Sequence, residues 1–287
     1  MSRPRSTSTP LDRTRSARQG PARAAKPLSK YELYELTVQN PAALVPLLLA
    51  IHGGSPRVLA EDFSGTAALS RAWLKAVPRS KAVAADIDPE PLRRAGRNQR
   101  LKTIVADVLR SPLLAQHRAD VLFVGNFSIG EIHARRDLVR YLRRAKARLN
   151  PGGVFVCDTY GGESAFRTGS IQRMHPGPKR DPALRIRYTW QQRAADPITG
   201  RVENALHFRT DRGGDIEQEL TDAFVYRWRL WSLPELRDAM LEAGFQAAQI
   251  HQQIPDAVDA EGKAYARPIT DPAELDDSYI VCVAGRC

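Results

Sequence analysis

Large apolar residues are nearly absent from the first 29 positions, where only Met1, Leu11 and Leu28 occur among Ser, Thr, Pro and Arg. From Lys30 onward they return in two rhythms. Helical spacing predicts helices over 30–38, 41–52, 67–77, 89–99 and 134–149. In the last of these, Leu138, Tyr141, Leu142, Ala145 and Leu149 fall on one face, and Asn150-Pro151-Gly152-Gly153 ends it. Between the helices lie short, near-continuous apolar runs at 57–61, 81–86, 103–107, 119–126 and 152–160. Such runs separated by helices are the pattern of a parallel sheet covered on both faces. Right-handed crossovers then place the strand C-termini on one edge, where open α/β sheets bind ligands.

The rhythm changes after about residue 163. Residues 185–193, 202–210 and 215–231 read as strands joined by turn formers, Asp196-Pro197-Ile198-Thr199-Gly200 and Asp211-Arg212-Gly213-Gly214. This predicts an antiparallel insertion over approximately 163–231. A helix capped by Ser232 and ended by Gly244 follows, then strands at 246–252 and 279–284. The polar loop between those strands is long enough to expect function or motion in it. The expected fold class is α/β: a doubly wound, Rossmann-like sheet, mostly parallel, with an antiparallel β insertion as a lid. Two parts are expected, a basic tail over 1–29 and one domain over 30–287. The tail cannot bury enough surface to offset its ordering entropy, so it reads as disordered.

Charge changes the picture less than it first promises. The 287 residues carry a formal net charge of +11, which invites a nucleic-acid reading. Residues 1–30 alone account for +7, leaving +4 for the body. Arginine outnumbers lysine 35 to 8, a bias that genome composition explains as readily as phosphate recognition. Nucleic acid is therefore expected at most through the tail. The three cysteines, Cys157, Cys282 and Cys287, form no C-x-x-C spacing, so neither a disulfide framework nor a bound metal is expected. No apolar run approaches the roughly 18 residues that span a bilayer. The tail lacks the apolar centre of a secretory signal. A cytoplasmic protein without a membrane partner is the expectation.

The segment with the most chemical content is Val58-Leu59-Ala60-Glu61-Asp62-Phe63-Ser64-Gly65-Thr66-Ala67. A strand ends in an acid, and a turn of small residues leads into a helix. Small residues let a ligand approach the backbone, and the helix N-terminus offers free N–H groups. The turn has one glycine, not the three of G-x-G-x-x-G, and no G-x-x-x-x-G-K-[ST] occurs in the chain. A pyrophosphate is a poor fit, and the acid suits an ammonium or a ribose. The next three strands end at Asp86, Asp107 and Asn126. An acid about 20 residues beyond the first turn is where doubly wound folds hold ribose hydroxyls. Four polar strand ends on one rim point to a binding site. For Asp62 and Asp88, a role in the site and a cap or turn role stand level.

On these residues the chain resembles class I S-adenosylmethionine-dependent methyltransferases, in particular a bacterial subgroup whose first motif reads E-D-F-C-G-T-A. Here the motif stands as Glu61-Asp62-Phe63-Ser64-Gly65-Thr66-Ala67, with Ser64 in place of Cys. The likeness extends from Tyr31-Glu32-Leu33-Tyr34-Glu35-Leu36 through AADIDPEPL, VADVL, NFS, LNPGGVFVCDTYGG and DPITGR to YRWRLWSLPELRDAMLEAGF. The resemblance implies S-adenosylmethionine as the cofactor. It implies that Glu61 meets the methionine ammonium and that Gly65 and Thr66 let the cofactor pass. It implies that Asp86 accepts the ribose hydroxyls and Ile87 packs on adenine. Asp107, with Val108 beside it, would accept from the adenine amino group, and Asn126 would sit by the reacting methyl.

The implied activity is methyl transfer by in-line displacement to a nucleophile, expected to be a small molecule. The alternatives are an RNA or protein methyltransferase and a noncatalytic S-adenosylmethionine-binding protein. A sulfonium is already a strong electrophile, so the main task is to hold the nucleophile in line. A base is needed only where the nucleophile must lose a proton. Asn126, Ser128, Glu131, His133 and Tyr160 are the candidates near the rim, with a helix-start or packing role the bland reading of His133. Tyr188, Trp190, Trp228 and Trp231 fall in the insertion strands, where sheet packing is their first expectation. The insertion and the Tyr31–Leu36 helix are expected to cover the open edge of the cofactor site.

Overall fold

The structure is a computed structural model, and it describes residues 27–287. The disorder expected for the tail concerns residues that lie, up to 26, outside the described ones. Leu28 and Ser29, assigned to that tail by composition, belong to the fold. Leu28 is buried, and the Ser29 side chain caps the first helix in a capping box with Glu32.

Helices α1 (Lys30–Thr37) and α2 (Pro41–His52) precede the first strand. The alternating part then runs β1 (Val58–Asp62), α3 (Ala68–Ala76), β2 (Lys81–Asp86), α4 (Pro89–Leu92), β3 (Leu101–Val105), β4 (Ala119–Val124), α5 (Arg135–Ala147) and β5 (Leu149–Gly161). The insertion is β6 (Gly169–Pro176), β7 (Arg185–Asp196), β8 (Arg201–Arg212) and β9 (Asp215–Arg229). The chain ends with α6 (Leu233–Glu242), β10 (Ala247–Gln252), a hairpin of β11 (Ala257–Val258) and β12 (Ala264–Tyr265), and β13 (Tyr279–Arg286).

The main sheet has seven strands in the order β10-β13-β5-β4-β1-β2-β3. β5, β4, β1, β2 and β3 pair in parallel, and β13 runs antiparallel to both its neighbours. Strand order reverses between β1 and β4, so the rim above these two strands is the switch point of the sheet. One face packs against α5 and α6 through residues such as Leu122, Leu142, Phe155 and Leu236. The other packs against α2 and α3 through Leu48, Leu59, Trp73 and Phe123. β6–β9 form a separate four-stranded antiparallel sheet. A third cluster, with Leu33 of α1 and Ile186, Tyr188, Leu206 and Phe208 of the insertion, fastens α1 to that lid.

The structure adjusts several expectations. The helix expected over 89–99 is one short turn followed by a 3-10 segment, Arg93–Ala95, because Gly96 turns left-handed at φ 73°. β3 lies two residues earlier than expected, which leaves Asp107 in the loop after it. β6 was not visible as a strand: its residues are exposed and lack alternation, and it forms only by pairing with β7 as the sheet edge. The long polar loop carries β11 and β12. Among the described residues, no single helix is long and apolar enough to cross a membrane.

Candidate functional site

The turn after β1 is built for close approach. Phe63, Gly65 and Ala67 all take left-handed backbone angles, at φ 55°, 52° and 56°. Such angles are costly for residues with a Cβ, and they mark a conformation imposed by its surroundings. The Ser64 N–H donates to the Ala85 carbonyl, and the Gly65 N–H donates to Asp86 Oδ2 at 2.7 Å. A Cβ on Gly65 would meet nothing within 4 Å, so open space faces the backbone there. Ser64 Oγ and Thr66 Oγ1 are buried without a partner among the described residues. Buried hydroxyls without a partner are uncommon, and two of them in one turn set it apart from the other strand ends.

Glu61 is 6% exposed. Its Oε2 accepts from the Ser70 N–H at 2.9 Å and from Ser70 Oγ at 2.6 Å. Burial nevertheless pushes its carboxyl up to about 7. Asp62 points the other way and is fully buried. It accepts from Arg148 Nη1 at 2.7 Å, from Arg148 Nη2 at 3.1 Å and from the Tyr141 hydroxyl at 2.9 Å. Its role is neither a cap nor a ligand contact but a buried ion pair that ties β1 to α5.

At the end of β2, Asp86 Oδ1 accepts from the Asp88 N–H at 2.9 Å while Oδ2 holds Gly65. The carboxylate therefore joins the first two loops of the rim, and desolvation raises its pKa. Ile87, next to it, is 68% exposed, an isolated apolar side chain at the rim. Asp88 caps α4 by accepting from the Glu90 N–H, which is its cap role. Asp107 is half-buried and accepts from the Leu109 N–H at 2.8 Å, and Val108 is buried beside it.

The loop after β4 depends on a residue that sequence reasoning missed. Asn126 and Phe127 are both left-handed, at φ 54° and 62°. Their N–H groups donate to Asp158 Oδ2 at 3.0 Å and Oδ1 at 2.7 Å. Asp158 is 2% exposed, and burial raises its carboxyl to about 6. Its signal was present in the sequence: it is the one charged residue in the apolar run Val154-Phe155-Val156-Cys157-Asp158. A buried acid in such a strand needs partners.

The remaining candidates divide. Ser128 and Glu131 bound a 3-10 turn directly after Asn126–Phe127. Glu131 Oε1 accepts from Trp228 Nε1 of the lid at 2.7 Å. His133 Nε2 meets the Arg227 carbonyl at 2.7 Å, so the imidazole fastens β9 to the domain. The Tyr160 hydroxyl donates to Gln192 Oε1 at 3.0 Å and accepts from Asn204 Nδ2 at 3.2 Å. Of the insertion aromatics, Trp190 and Trp228 pack around Phe127, at 6.1 and 5.9 Å between ring centres, and Tyr160 lies 5.0 Å from the same ring. Trp231 instead donates to the Ile132 carbonyl, and Tyr188 stacks on Phe208 in the lid core.

α1 reaches the loop after β2, α3 and the insertion. The Tyr31 hydroxyl lies 3.4 Å from both Asp88 Oδ2 and Glu90 Oε2, and Glu35 pairs with Arg71 of α3 at 2.7 Å. Glu32 reaches Arg94 at 3.3 Å and Arg180 of the lid at 3.4 Å. Between α1, α3 and α4 lies a cavity of about 580 Å³ lined by Tyr31, Glu35, Arg71, Glu90, Arg93 and Arg94. Among the described residues no cluster of His, Cys, Asp and Glu is placed to hold a metal.

No family model and no curated protein matches the sequence. Solved structures do match the fold. The sugar N-methyltransferase KedS8 from Streptoalloteichus is 15% identical at a TM-score of 0.60, over 95% of this chain and 100% of that one. The amino pentose methyltransferase CalS10 from Micromonospora echinaspora, solved with S-adenosylmethionine bound, is 12% identical at 0.62, over 92% and 100%. An S-adenosylmethionine-dependent methyltransferase from Clostridium acetobutylicum is 13% identical at 0.60, over 88% and 96%. With its seven-stranded sheet and antiparallel lid, this chain has the Rossmann-like fold of those S-adenosylmethionine-dependent methyltransferases.

Proposed function

We propose that this protein binds S-adenosylmethionine on the rim above β1, β2, β3 and β4 and transfers its methyl group to a small-molecule nucleophile. The observation that carries this reading is the turn at Phe63–Ala67, in which Phe63, Gly65 and Ala67 are left-handed, and which is open in front of Gly65 and flanked by Glu61 and Asp86. The fold neighbours support it, two of them acting on sugar amines by their names.

In this reading Glu61 pairs with the methionine ammonium through the oxygen that Ser70 leaves free. Gly65 gives the cofactor room, with Thr66 beside it in the turn. Asp86 keeps lone pairs for the ribose hydroxyls while holding the turn. Ile87 covers one face of adenine, and Asp107 with Val108 meets its edge. Asn126 lines the methyl end, held in place by Asp158. When bound, S-adenosylmethionine supplies a methyl group made electrophilic by its sulfonium. The chain's own work in this reading is to orient the acceptor and exclude water, tasks that fall to α1 and the lid.

Calorimetry on the full chain tests this. S-adenosylmethionine and S-adenosylhomocysteine are expected to bind, and Asp86→Ala is expected to weaken both markedly. A folded protein that binds neither overturns the proposal. Transfer of labelled methyl into a metabolite extract rather than into bulk RNA is the expected second result.

A further inference from the structure

The end of the rim beyond Asn126 is made of acids and aromatic rings. Glu131 stands there, between the rim and the lid, with part of its side chain exposed to solvent. Its Oε1 is held by Trp228 Nε1, and no second hydrogen bond or ion pair from the described residues reaches the carboxylate. Desolvation, with the nearby charge of Asp86, raises its pKa, while the Trp228 hydrogen bond and His133 oppose them. Tyr226 of β9 is close enough to feel the Glu131 charge. The Tyr226 ring stacks on Trp228 at 4.5 Å, and Trp228 lies 5.9 Å from Trp190.

The basic side chains of this region are engaged elsewhere. His133 meets the Arg227 carbonyl. Arg227 pairs with Glu203 at 2.9 Å, and Arg229 pairs with Glu235 at 3.0 Å while stacked 3.8 Å from the Trp231 ring centre. Carboxylates without a local counter-charge, set among aromatic faces, favour a cation.

We propose that the methyl acceptor is an amine on a small molecule, and that Glu131 pairs with its ammonium form and takes its proton. This inference rests on the methyl-transfer reading above. One N–H proton passes to the free oxygen of Glu131, which leaves a neutral amine and a carboxylic acid. The nitrogen lone pair then forms the N–C bond to the methyl carbon as the C–S bond breaks, and the breaking pair stays on sulfur. The product leaves as a methylated ammonium, and Glu131 returns its proton to solvent. An alkylammonium titrates near the lysine value of about 10 and offers no lone pair until it loses a proton, so a base beside it is required. An aliphatic hydroxyl holds its proton far more tightly and is neutral, so it lacks the charge attraction that an ammonium has to this carboxylate.

The test uses the full chain saturated with S-adenosylhomocysteine and titrated with tyramine and glucosamine, each against its hydroxyl counterpart, tyrosol and glucose. Both amines are expected to bind about tenfold or more tighter than their counterparts. Glu131→Gln, whose amide oxygen still accepts from Trp228, is expected to erase that preference and leave S-adenosylhomocysteine affinity unchanged. In a single turnover with methyl-labelled S-adenosylmethionine, the label is expected on an amine, about 100-fold more slowly in Glu131→Gln. Equal binding of amine and hydroxyl probes, a preference that survives in Glu131→Gln, or label on a hydroxyl or on no amine overturns the inference. Failure of S-adenosylhomocysteine itself to bind is a separate result, and it overturns the methyl-transfer reading instead.

Discussion

Glu61 and Asp62 are consecutive in β1 and lie on opposite faces of the main sheet. Glu61 faces α3 and takes both hydrogen bonds of Ser70, whereas Asp62 faces α5 and is locked to Arg148 and Tyr141. Strand alternation thus separates two adjacent acids into one group at the candidate site and one inside the core.

The two acids should therefore fail in different ways. Asp62→Asn leaves the Arg148 guanidinium buried without its counter-charge, and a loss of about 3–5 kcal/mol in urea unfolding is expected. Glu61→Gln removes a carboxylate that burial already disfavours, so stability at pH 8 is expected to hold or rise while S-adenosylhomocysteine binding weakens. Equal destabilisation by both substitutions would contradict the assignment.

Glu61 also sets a pH dependence. Its pKa rises on folding, from 4.5 to about 7. Between those values the folded chain holds more protons than the unfolded one, so this group's contribution to stability falls as pH rises through the window. Asp158 acts in the same sense between 3.8 and about 6. A ligand ammonium selects the ionised Glu61, so S-adenosylhomocysteine affinity should rise between about pH 5.5 and 7.5 and level off above. Calorimetry in buffers of different ionisation enthalpy should register proton release below pH 7, and Glu61→Gln should remove that part of it.

α1 bridges the rim and the lid through Tyr31, Glu32 and Glu35. Deleting residues 30–38 is expected to weaken S-adenosylhomocysteine binding by about tenfold or more, a loss of about 1.4 kcal/mol. Deleting 1–26 is expected to leave it within about twofold. Equal effects of the two deletions would show that α1 does not cover the site.

Asp158 holds two consecutive left-handed residues, of which only Asn126 is of a type that tolerates that backbone well. Asp158→Asn offers one acceptor oxygen where the loop needs two. A loss of about 1–3 kcal/mol is expected, with faster hydrogen exchange confined to the Asn126 and Phe127 amides. Unchanged exchange there would mean that the loop is held by other contacts.

Much of this architecture was legible in one dimension. Apolar runs between amphipathic helices specify a parallel sheet, and the turn formers at 196–200 and 211–214 specify the lid hairpins, because both signals are local in the chain. The acids at 61, 86 and 107 could be placed on one rim for the same reason: in a parallel sheet, chain direction alone puts every strand end on one edge. Less visible were β6, whose exposed residues become a strand only beside β7, and the short α4, cut by Gly96.

By itself, then, the sequence determined the alternating order of the main sheet and the lid hairpins, and it put Glu61, Asp86 and Asp107 at the ends of strands that share one edge. Only the tertiary structure decided which acids are free to meet a ligand. Asp62 is spent on Arg148, which lies 86 positions away, and Asp158 on amides more than 30 positions earlier. Glu131 is held by a tryptophan 97 positions later, from a sheet of its own. Burial and long-range pairing set the charge and reach of a carboxylate, and neither is encoded by the residues adjacent to it in the chain.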